Sequence, residues 1–275
     1  MPVLLGSMTI DLFRQDAYLR QCSARVTAIG AQGIVLDRTV FYPLGGGQAG
    51  DSGCLVLADG STLGIVDTRK GKAEDGSFTQ AICHLPAQQE LAQLLEAQLQ
   101  PAGANARLRV GDQVVARIDW ERRHRLMRFH TTTHLLCKLV PQLVNGCSIT
   151  PEYARLDFNM TDPLDKEALS QGIADLVRAA HPVTVGEITD AELDANPALV
   201  KSMSVQPPRG SGRIRTIRIG TDALVDFQPC GGTHVANTAE IGAVLVTRIE
   251  KKSATTRRVV LGFAARAAPA AALPR

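Results

Sequence analysis

The sequence predicts an α+β protein in which a β-rich N-terminal domain precedes a domain of mixed helices and strands. Short apolar and β-branched runs, separated by Gly, Asp and Asn turn signals, occupy residues 1–115. After Asp119, runs of helical periodicity alternate with further short strands. A chain of 275 residues is long enough for about two domains. We therefore expect an N-terminal β-barrel-like domain over residues 1–118, an α+β domain over residues 119–264 and a disordered Ala/Pro-rich tail over residues 265–275.

The N-terminal elements follow from alternating apolar residues and from turn signals. Short strands at such regular spacing are typical of a barrel or a sandwich. The acidic, Gly-containing segment Lys70–Ser77 is expected to be an exposed loop. The predicted elements are strands at Ala24–Ile29, Gly33–Leu36, Cys54–Leu57 and Leu63–Val66, a helix within Gln88–Leu99, and extended chain over Arg107–Ile118 with a turn at Gly111-Asp112.

The second half opens with a long helix. Residues Trp120–Leu139 contain no Gly or Pro, carry leucines at helical spacing and stop before Pro141. A second helix is expected from Pro163 through Val177, with Asp162 as its N-cap. The other predicted elements are a short helix at Ala191–Pro197 and strands at Ala154–Asn159, Val183–Ile188, Arg213–Ile219, Ala223–Phe227, Ala243–Lys251 and Arg257–Phe263.

Charge is distributed unevenly along the chain. The net charge is +3, but residues 1–115 carry 9 Lys/Arg against 11 Asp/Glu, whereas residues 116–275 carry 21 against 16. A basic second half suits a polyanionic partner such as a phosphate backbone, although basic residues are also common on ordinary solvated faces. The candidate phosphate contacts are Arg122, Arg123, Arg213, Arg215 and Lys252.

Several classes of protein are disfavoured by composition. The longest stretch without Asp, Glu, Lys or Arg is 14 residues, from Gly76 to Gln89, which is too short for a transmembrane helix. The N-terminus lacks a basic leader and a small-residue cleavage site, so we expect a cytoplasmic protein with no membrane partner.

Five of the six cysteines lie among apolar neighbours and are expected to be small core residues rather than a disulfide framework: Cys22, Cys54, Cys83, Cys137 and Cys147.

Two pairs of residues carry the chemistry of metal ligands. His130 and His134 are four residues apart on the long predicted helix and therefore share a face. Cys230 and His234 flank a Gly-rich turn in QPCGGTHV. Either pair alone is often coincidental, but together they form an N/S set of the type that zinc prefers, held between a helix and a Gly-rich loop. Thr131 stands where a metalloprotease helix would carry its glutamate, which disfavours a protease.

A second feature is FYPLGGGQAGDSG, residues 41–53. Three consecutive glycines before Gln48 are compatible with a tightly bent loop, or with a loop whose backbone approaches a ligand closely. The segment lacks the Gly-Lys-Ser/Thr ending of a P-loop, so nucleoside-triphosphate binding is not expected.

These motifs closely resemble a known family. HTTTHLL, RLDFN, IRTIRIG and QPCGGTHVANTAEIG are similar to the editing domain of alanyl-tRNA synthetase, and to the free-standing AlaX family of alanyl-tRNA editing proteins. FYPLGGGQAGDSG resembles the Gly-rich motif of larger AlaX members, which carry a β-barrel domain before the editing domain. No adenylation domain is present, so the resemblance does not imply ATP use.

The resemblance implies roles for individual residues. His130, His134, Cys230 and His234 match the family's zinc positions, with one Zn²⁺ per chain. Thr131 matches a threonine that touches the hydroxyl of a seryl substrate, and Gln48 matches a glutamine that shapes the pocket. The Gly-rich segments are expected to line the substrate site through Gly45, Gly46, Gly47, Gly231 and Gly232. Asn159, in RLDFN, stands where an acidic residue is common in the family.

The implied activity is hydrolysis of the aminoacyl ester of tRNA(Ala) wrongly charged with serine or glycine. The implied partner is the acceptor end of tRNA(Ala), and the chain is expected to be a monomer or a weak dimer. Two alternatives remain open from the residues alone. One is a non-catalytic tRNA-binding protein with a structural zinc ion, and the other is a metal hydrolase acting on a small ester or amide.

Overall fold

A computed structural model describes residues 8–99, 107–207 and 212–264. The expected tail, residues 265–275, lies outside these described residues. The chain divides into two compact units. The first runs to His130 and adds Ser148–Pro151 and Pro229–Val235, and the second contains Thr131–Cys147, Glu152–Gln228 and the chain from Ala236 onward. Both contain helices and strands, so the α+β prediction is confirmed.

The first unit is built mainly from strands. Its helices are α1 (Leu12–Gln15), α2 (Gln88–Gln98) and the first part of α3 (Trp120–Leu139). Its strands are β1 (Ile10–Asp11), β2 (Gln21–Gly30), β3 (Gly33–Leu36), β4 (Arg38–Thr39), β5 (Gly53–Val56), β6 (Thr62–Ile65), β7 (Asp67–Lys72), β8 (Phe78–Leu85) and β9 (Gln113–Ile118).

Seven of these strands form one antiparallel sheet in the order β6-β5-β9-β2-β3-β8-β7, and β1 pairs with β4 in parallel. Within the described residues β6 and β7 are the edges, so the sheet is open where a complete barrel would be closed. Alternate residues of β2 and β9, such as Ala24, Val26, Val114 and Ala116, point into the core with Leu94 of α2. The predicted strands up to Val66 and α2 are confirmed to within a few residues, but the chain predicted to be extended from Arg107 forms a strand only from Gln113.

The predicted loop at Lys70–Ser77 is wrong in its first three residues. Lys70–Lys72 belongs to β7, which pairs with β8, and only Ala73–Ser77 forms the connecting turn. The polar sequence of β7 suggested a loop, but it suits an edge strand because charged side chains protect an unpaired edge. Strand β8 has few turn or alternation signals in its sequence and was not predicted.

Helix α3 spans Trp120–Leu139, as predicted. The Asp119 carboxylate accepts a hydrogen bond from the Arg122 backbone N–H at 3.1 Å, which satisfies one free donor of the first turn. The helix ends before Pro141, and its residues from Thr131 onward belong to the second unit. Within the described ranges, no helix is both long and apolar enough to cross a membrane.

The second unit contains two sheets, in the orders β10-β11-β16-β15 and β12-β13-β14. Helix α4 packs on β15, where the Val246 N–H donates to Ser170 Oγ at 3.1 Å. The elements after α3 are β10 (Val144–Ile149), β11 (Ala154–Asn159), α4 (Lys166–Arg178), β12 (Val183–Ile188), α5 (Asp190–Ala195), a 3₁₀ turn (Pro197–Leu199), β13 (Ile214–Ile219), β14 (Asp226–Pro229), a second 3₁₀ turn (Thr238–Ile241), β15 (Val244–Ser253) and β16 (Thr256–Phe263).

Two predictions in this unit are wrong in position. Helix α4 begins at Lys166 rather than Pro163, because Asp165 and not Asp162 is the N-cap and accepts from the Ala168 N–H at 2.9 Å. Strand β14 covers Asp226–Pro229 rather than Ala223–Phe227. Strand β10, whose sequence contains Asn and Gly, was not predicted.

Candidate metal centre

The middle of helix α3 buries an unusual run of polar side chains. His130, Thr131, Thr132, Thr133 and His134 are each at most 5% exposed. Polar residues are rarely buried in such a run unless they have partners, so this turn of the helix is built around specific contacts. Thr131 is fully buried but lies one position beyond His130, and therefore on a neighbouring face of the helix.

His130 is held by Gln48. The His130 Nδ1 and Gln48 Oε1 atoms are 2.7 Å apart, and the same oxygen accepts from the Thr233 backbone N–H at 3.1 Å. The other end of the amide, Nε2, donates to Thr233 Oγ1 at 2.9 Å. Because the amide oxygen only accepts, Nδ1 of His130 carries the hydrogen and Nε2 keeps its lone pair.

The loop Cys230–His234 brings two further ligand residues, a cysteine and a histidine, close to His130. Cys230 Sγ lies 3.5 Å from His130 Nε2 and 3.3 Å from His234 Nε2, and the two imidazole rings are 4.3 Å apart between centroids. The Gly232 N–H also donates to Cys230 Sγ at 3.4 Å. The two distances from Cys230 Sγ to an imidazole nitrogen, 3.5 and 3.3 Å, lie within the edge of about 3.3–3.8 Å that four bonds of ~2.0–2.3 Å give in a tetrahedral metal site.

The two glycines of this loop differ in the space available for a side chain. A Cβ added at Gly232 would overlap the His130 ring and lie 2.9 Å from Gln48 Oε1. A Cβ at Gly231 would meet only Arg14, at 3.8 Å. The close approach of the loop to His130 therefore requires glycine at position 232 and not at position 231.

His134 follows His130 by one turn of the same helix and has a different anchor. Its Nδ1 lies 2.7 Å from Oδ2 of Asp226 on β14, so the hydrogen of this ring is also on Nδ1. We call His130, His134, Cys230 and His234 the His/Cys cluster; each offers one ligand atom, and these atoms lie within 4.8 Å of one another. Three imidazole nitrogens and one thiolate form a donor set that could hold one metal ion, and it is of the type found in zinc sites.

The GGGQ segment is a tight turn. Gly46 and Gly47 have φ of 59° and 84°, the left-handed values that a type I′ turn needs at both central positions. Gly45 and Gln48 exchange backbone hydrogen bonds across it at 3.1 and 3.0 Å. The geometry of the turn thus explains two of the three glycines. The turn also places the fully buried Gln48 beside His130.

A buried ion pair fixes the chain just after this turn. Asp51 and Arg123 are both fully buried, and Arg123 Nε lies 3.1 and 3.0 Å from the two carboxylate oxygens of Asp51. Arg123 also donates to the carbonyls of Ala17 and Val40, at 2.9 and 2.6 Å. The Tyr42 N–H donates to Asp51 Oδ2 at 2.6 Å. We call Arg123, Asp51 and the carbonyls of Ala17 and Val40 the Arg123 cluster.

The prediction that Arg123 contacts phosphate is therefore wrong, because its guanidinium is buried and neutralised within the protein. Arg122 donates to the Gly50 carbonyl, and the exposed Arg213 pairs with Glu187 at 2.6 Å. Lys252 is exposed and remains a candidate phosphate contact.

Sequence reasoning missed Asp226 and Lys201. Asp226 is fully buried; its Oδ1 accepts from the Lys201 ammonium, and its Oδ2 accepts from His134 and from Gln228 Nε2 at 2.9 Å. Burial by itself raises the pKa of Asp226, but the hydrogen bond from His134 and the nearby Lys201 outweigh it and hold the pKa well below its usual range. The only local signal was an acidic residue inside a predicted strand.

Comparison with known proteins places these residues in a family. Residues 214–260, which include Asp226, Cys230 and His234, match the model of the threonyl and alanyl tRNA synthetase second additional domain. The alanyl-tRNA editing protein AlaX-M of Saccharolobus solfataricus is 30% identical over 256 residues, covering 92% of this chain and 98% of that protein. The chain belongs to the AlaX family of alanyl-tRNA editing proteins.

Alanine--tRNA ligases are also similar to this AlaX chain. The ligase of Metallosphaera sedula is 34% identical over 252 residues, and that of Sulfurisphaera tokodaii is 31% identical over 256 residues. Each match covers 88% of this chain but 25% of the ligase. The AlaX chain therefore corresponds to a quarter of a ligase, and the ligases' full activity does not transfer with the match.

Proposed function

We propose that the protein is a zinc-dependent hydrolase that removes serine or glycine from mischarged tRNA(Ala). The observation that carries the proposal is the His/Cys cluster, in a chain of the AlaX family, with its ligand atoms within 4.8 Å of one another. His130, His134, Cys230 and His234 would hold the ion. We also retain the predicted domains, residues 1–118 and residues 119–264, and a cytoplasmic location as part of this proposal.

Hydrolysis of an aminoacyl ester needs a nucleophilic water and stabilisation of the oxyanion that develops on the carbonyl. Bound zinc supplies a Lewis acid for both needs. The chain's own residues orient that site. Gln48 holds His130 with Nε2 towards Cys230, and Thr233 holds both ends of the Gln48 amide. Gln48 is fully buried and committed to these contacts, so it is proposed to act by orienting His130.

The substrate side of the proposal rests on the residues next to the ligands. Thr131, adjacent to His130, is proposed to hydrogen-bond the hydroxyl of a seryl group. A site that hydrogen-bonds the hydroxyl of its substrate discriminates strongly against an alanyl group, which has no hydroxyl. The two Gly-rich turns, Gly45–Gly47 and Gly231–Gly232, are proposed to lie against the acceptor end of the tRNA.

The role of Thr131 can be tested with an isosteric change. Thr131→Val keeps the shape and the β-branch but removes the hydroxyl, and should lower kcat/KM on seryl-tRNA(Ala) by about 10- to 100-fold. The rate on glycyl-tRNA(Ala), which has no hydroxyl, should stay within about threefold of wild type. Equal losses on both substrates would assign Thr131 a packing role instead.

The proposed function is tested by deacylation. Purified protein is mixed with tRNA(Ala) charged separately with serine, glycine or alanine, with and without a zinc chelator. We expect loss of the seryl or glycyl ester, sparing of the alanyl ester, and inhibition by the chelator that added zinc reverses. No turnover of any ester by zinc-loaded protein would favour a tRNA-binding module with a structural metal. Turnover of small esters without tRNA would favour a general metal hydrolase.

A further inference from the structure

The two histidines of helix α3 are held through the same ring atom by chemically different partners. His130 Nδ1 meets the neutral amide oxygen of Gln48 at 2.7 Å. His134 Nδ1 meets the carboxylate of Asp226, also at 2.7 Å. The two contacts join residues 82 and 92 positions apart, but Gln48 lies in a motif visible in the sequence whereas Asp226 does not.

A carboxylate buried as deeply as that of Asp226 needs partners that compensate its charge. Its side chain is fully buried, and an unpaired carboxylate in such a place costs several kcal/mol. Lys201 compensates that charge at Oδ1, and its own side chain is 26% exposed. Lys201 therefore fixes one oxygen of the carboxylate while the other oxygen faces His134.

The hydrogen positions follow from this arrangement. Gln228 Nε2 lies 2.9 Å from Asp226 Oδ2 and 3.2 Å from His134 Nδ1. Since the amide nitrogen can only donate, it donates to the carboxylate, and the imidazole also donates to that carboxylate through Nδ1. His134 is thereby held as the tautomer whose lone pair is on Nε2. A carboxylate behind a ligating imidazole also raises the basicity of that lone pair.

We propose that Asp226, braced by Lys201, is a positioning residue that fixes His134 with Nε2 directed into the His/Cys cluster. The proposal rests on the proposed function only in that the His/Cys cluster binds a metal ion. Asp226 is not one of the four residues of the His/Cys cluster and contacts His134 directly, so its effect passes through the orientation and tautomer of His134.

The test compares metal affinity and ring tautomer in matched variants of the full chain. Asp226→Asn should weaken zinc binding by about 10- to 100-fold in competition with a chromophoric chelator. It should also change the visible absorption of the Co²⁺-loaded protein. Asp157→Asn is the control, because Asp157 is another largely buried carboxylate, paired with Arg155 and Arg258 at 2.8 and 2.7 Å. The control should lose stability but keep its zinc affinity within about threefold of wild type.

A metal-free readout separates this proposal from the proposed function. Nitrogen-15 NMR of the metal-free chain should show His134 protonated at Nδ1, and Asp226→Asn should give a mixture of tautomers. If Asp226→Asn does not fold, Lys201→Met tests the same brace and should still weaken zinc binding several-fold.

Two outcomes overturn the proposal: zinc affinity within threefold of wild type in the folded variant, or an unchanged His134 tautomer. If the wild type binds no zinc, the proposed function fails, yet the tautomer measurement still decides the role of Asp226.

Discussion

The Arg123 cluster and the His/Cys cluster both bury polar side chains of helix α3, but they differ in what they contain. The Arg123 cluster brings together a guanidinium, a carboxylate and two carbonyl oxygens. Its donors and acceptors, and its opposite charges, are matched within the protein. The His/Cys cluster instead points imidazole nitrogens and a thiol at one another.

The difference separates two reasons for burying polar groups. A matched cluster holds the structure together, and removing one member leaves a buried charge uncompensated. A cluster of converging electron-pair donors is stabilised by a cation among them, so its geometry indicates a ligand. The same short stretch of chain contacts both clusters: Gln48, at the end of the GGGQ turn, contacts His130, and Asp51, three residues later, contacts Arg123.

The largest effect is expected from a substitution that removes the positive charge of the Arg123 cluster. Arg123→Met should lower the free energy of unfolding by about 3–5 kcal/mol, because Asp51 would remain buried without its counter-charge. Urea denaturation measures the change. Arg213→Met is the control, since Arg213 pairs with Glu187 while 78% of its side chain is exposed, and should cost less than about 1 kcal/mol. Similar losses in the two variants would contradict the structural role assigned to the Arg123 cluster.

His84 lies outside the His/Cys cluster, and its burial should make the free energy of unfolding depend on pH. His84 is fully buried, its Nδ1 lies 3.0 Å from the Ile34 carbonyl, and its Nε2 lies 2.7 Å from Thr39 Oγ1. Burial lowers the pKa of His84 from 6.5 to about 4. The unfolded chain therefore takes up a proton in this window that the folded chain does not. Unfolding free energy should fall by about 3 kcal/mol between pH 7 and pH 4 from this group.

His84→Gln isolates that contribution, because glutamine cannot titrate. The difference between the wild-type and variant unfolding free energies should change across pH 4–6.5 and remain flat above it. A difference that does not vary with pH would show that His84 is protonated equally in both states.

Zinc binding by the His/Cys cluster should depend on the close approach of Gly232 to the His130 ring. Gly232→Ala should weaken zinc binding about 100-fold, equivalent to ~2.7 kcal/mol, because the added methyl displaces His130. Gly231→Ala adds the same methyl where there is space and should change zinc affinity less than about threefold. Isothermal titration of the metal-free variants measures both. Equal losses would mean that loop flexibility, and not the His130 contact, requires the glycines.

The smallest effect concerns a polar group that water can replace. Asp165 caps helix α4 at an exposed position, so Asp165→Ala should lower the free energy of unfolding by about 1 kcal/mol. Asp162→Ala, at the cap that the sequence predicted, should cost less than about 0.3 kcal/mol. A larger loss for Asp162→Ala in thermal denaturation would restore the earlier helix start.

Sequence reasoning succeeded where the structural signal is local. Helix α3 and strands β11 and β12 match their predicted ranges because residue spacing and helix-stop signals lie within the segments themselves. Strands β8 and β10 were missed because their pairing partners, not their own composition, make them strands. The start of α4 was misplaced because Asp162 and Asp165 are both acceptable caps in sequence.

The same distinction applies to the site. The pairs His130/His134 and Cys230/His234 are recognisable because each lies within five residues of sequence. The partners that orient them are distant: Gln48 is 82 positions from His130, and Asp226 is 92 positions from His134. Arg123 was misassigned for the opposite reason, because a sequence displays charge but not burial.

Zinc K-edge X-ray absorption on protein reconstituted with zinc, combined with metal analysis, tests whether the His/Cys cluster is the metal centre. We expect about one zinc per chain, bound by one sulfur at ~2.3 Å and three nitrogens at ~2.0–2.1 Å. Loss of the sulfur contribution in Cys230→Ser should accompany this result. Substoichiometric zinc, or a first shell of nitrogen and oxygen without sulfur, would contradict the assignment of the His/Cys cluster as the metal centre.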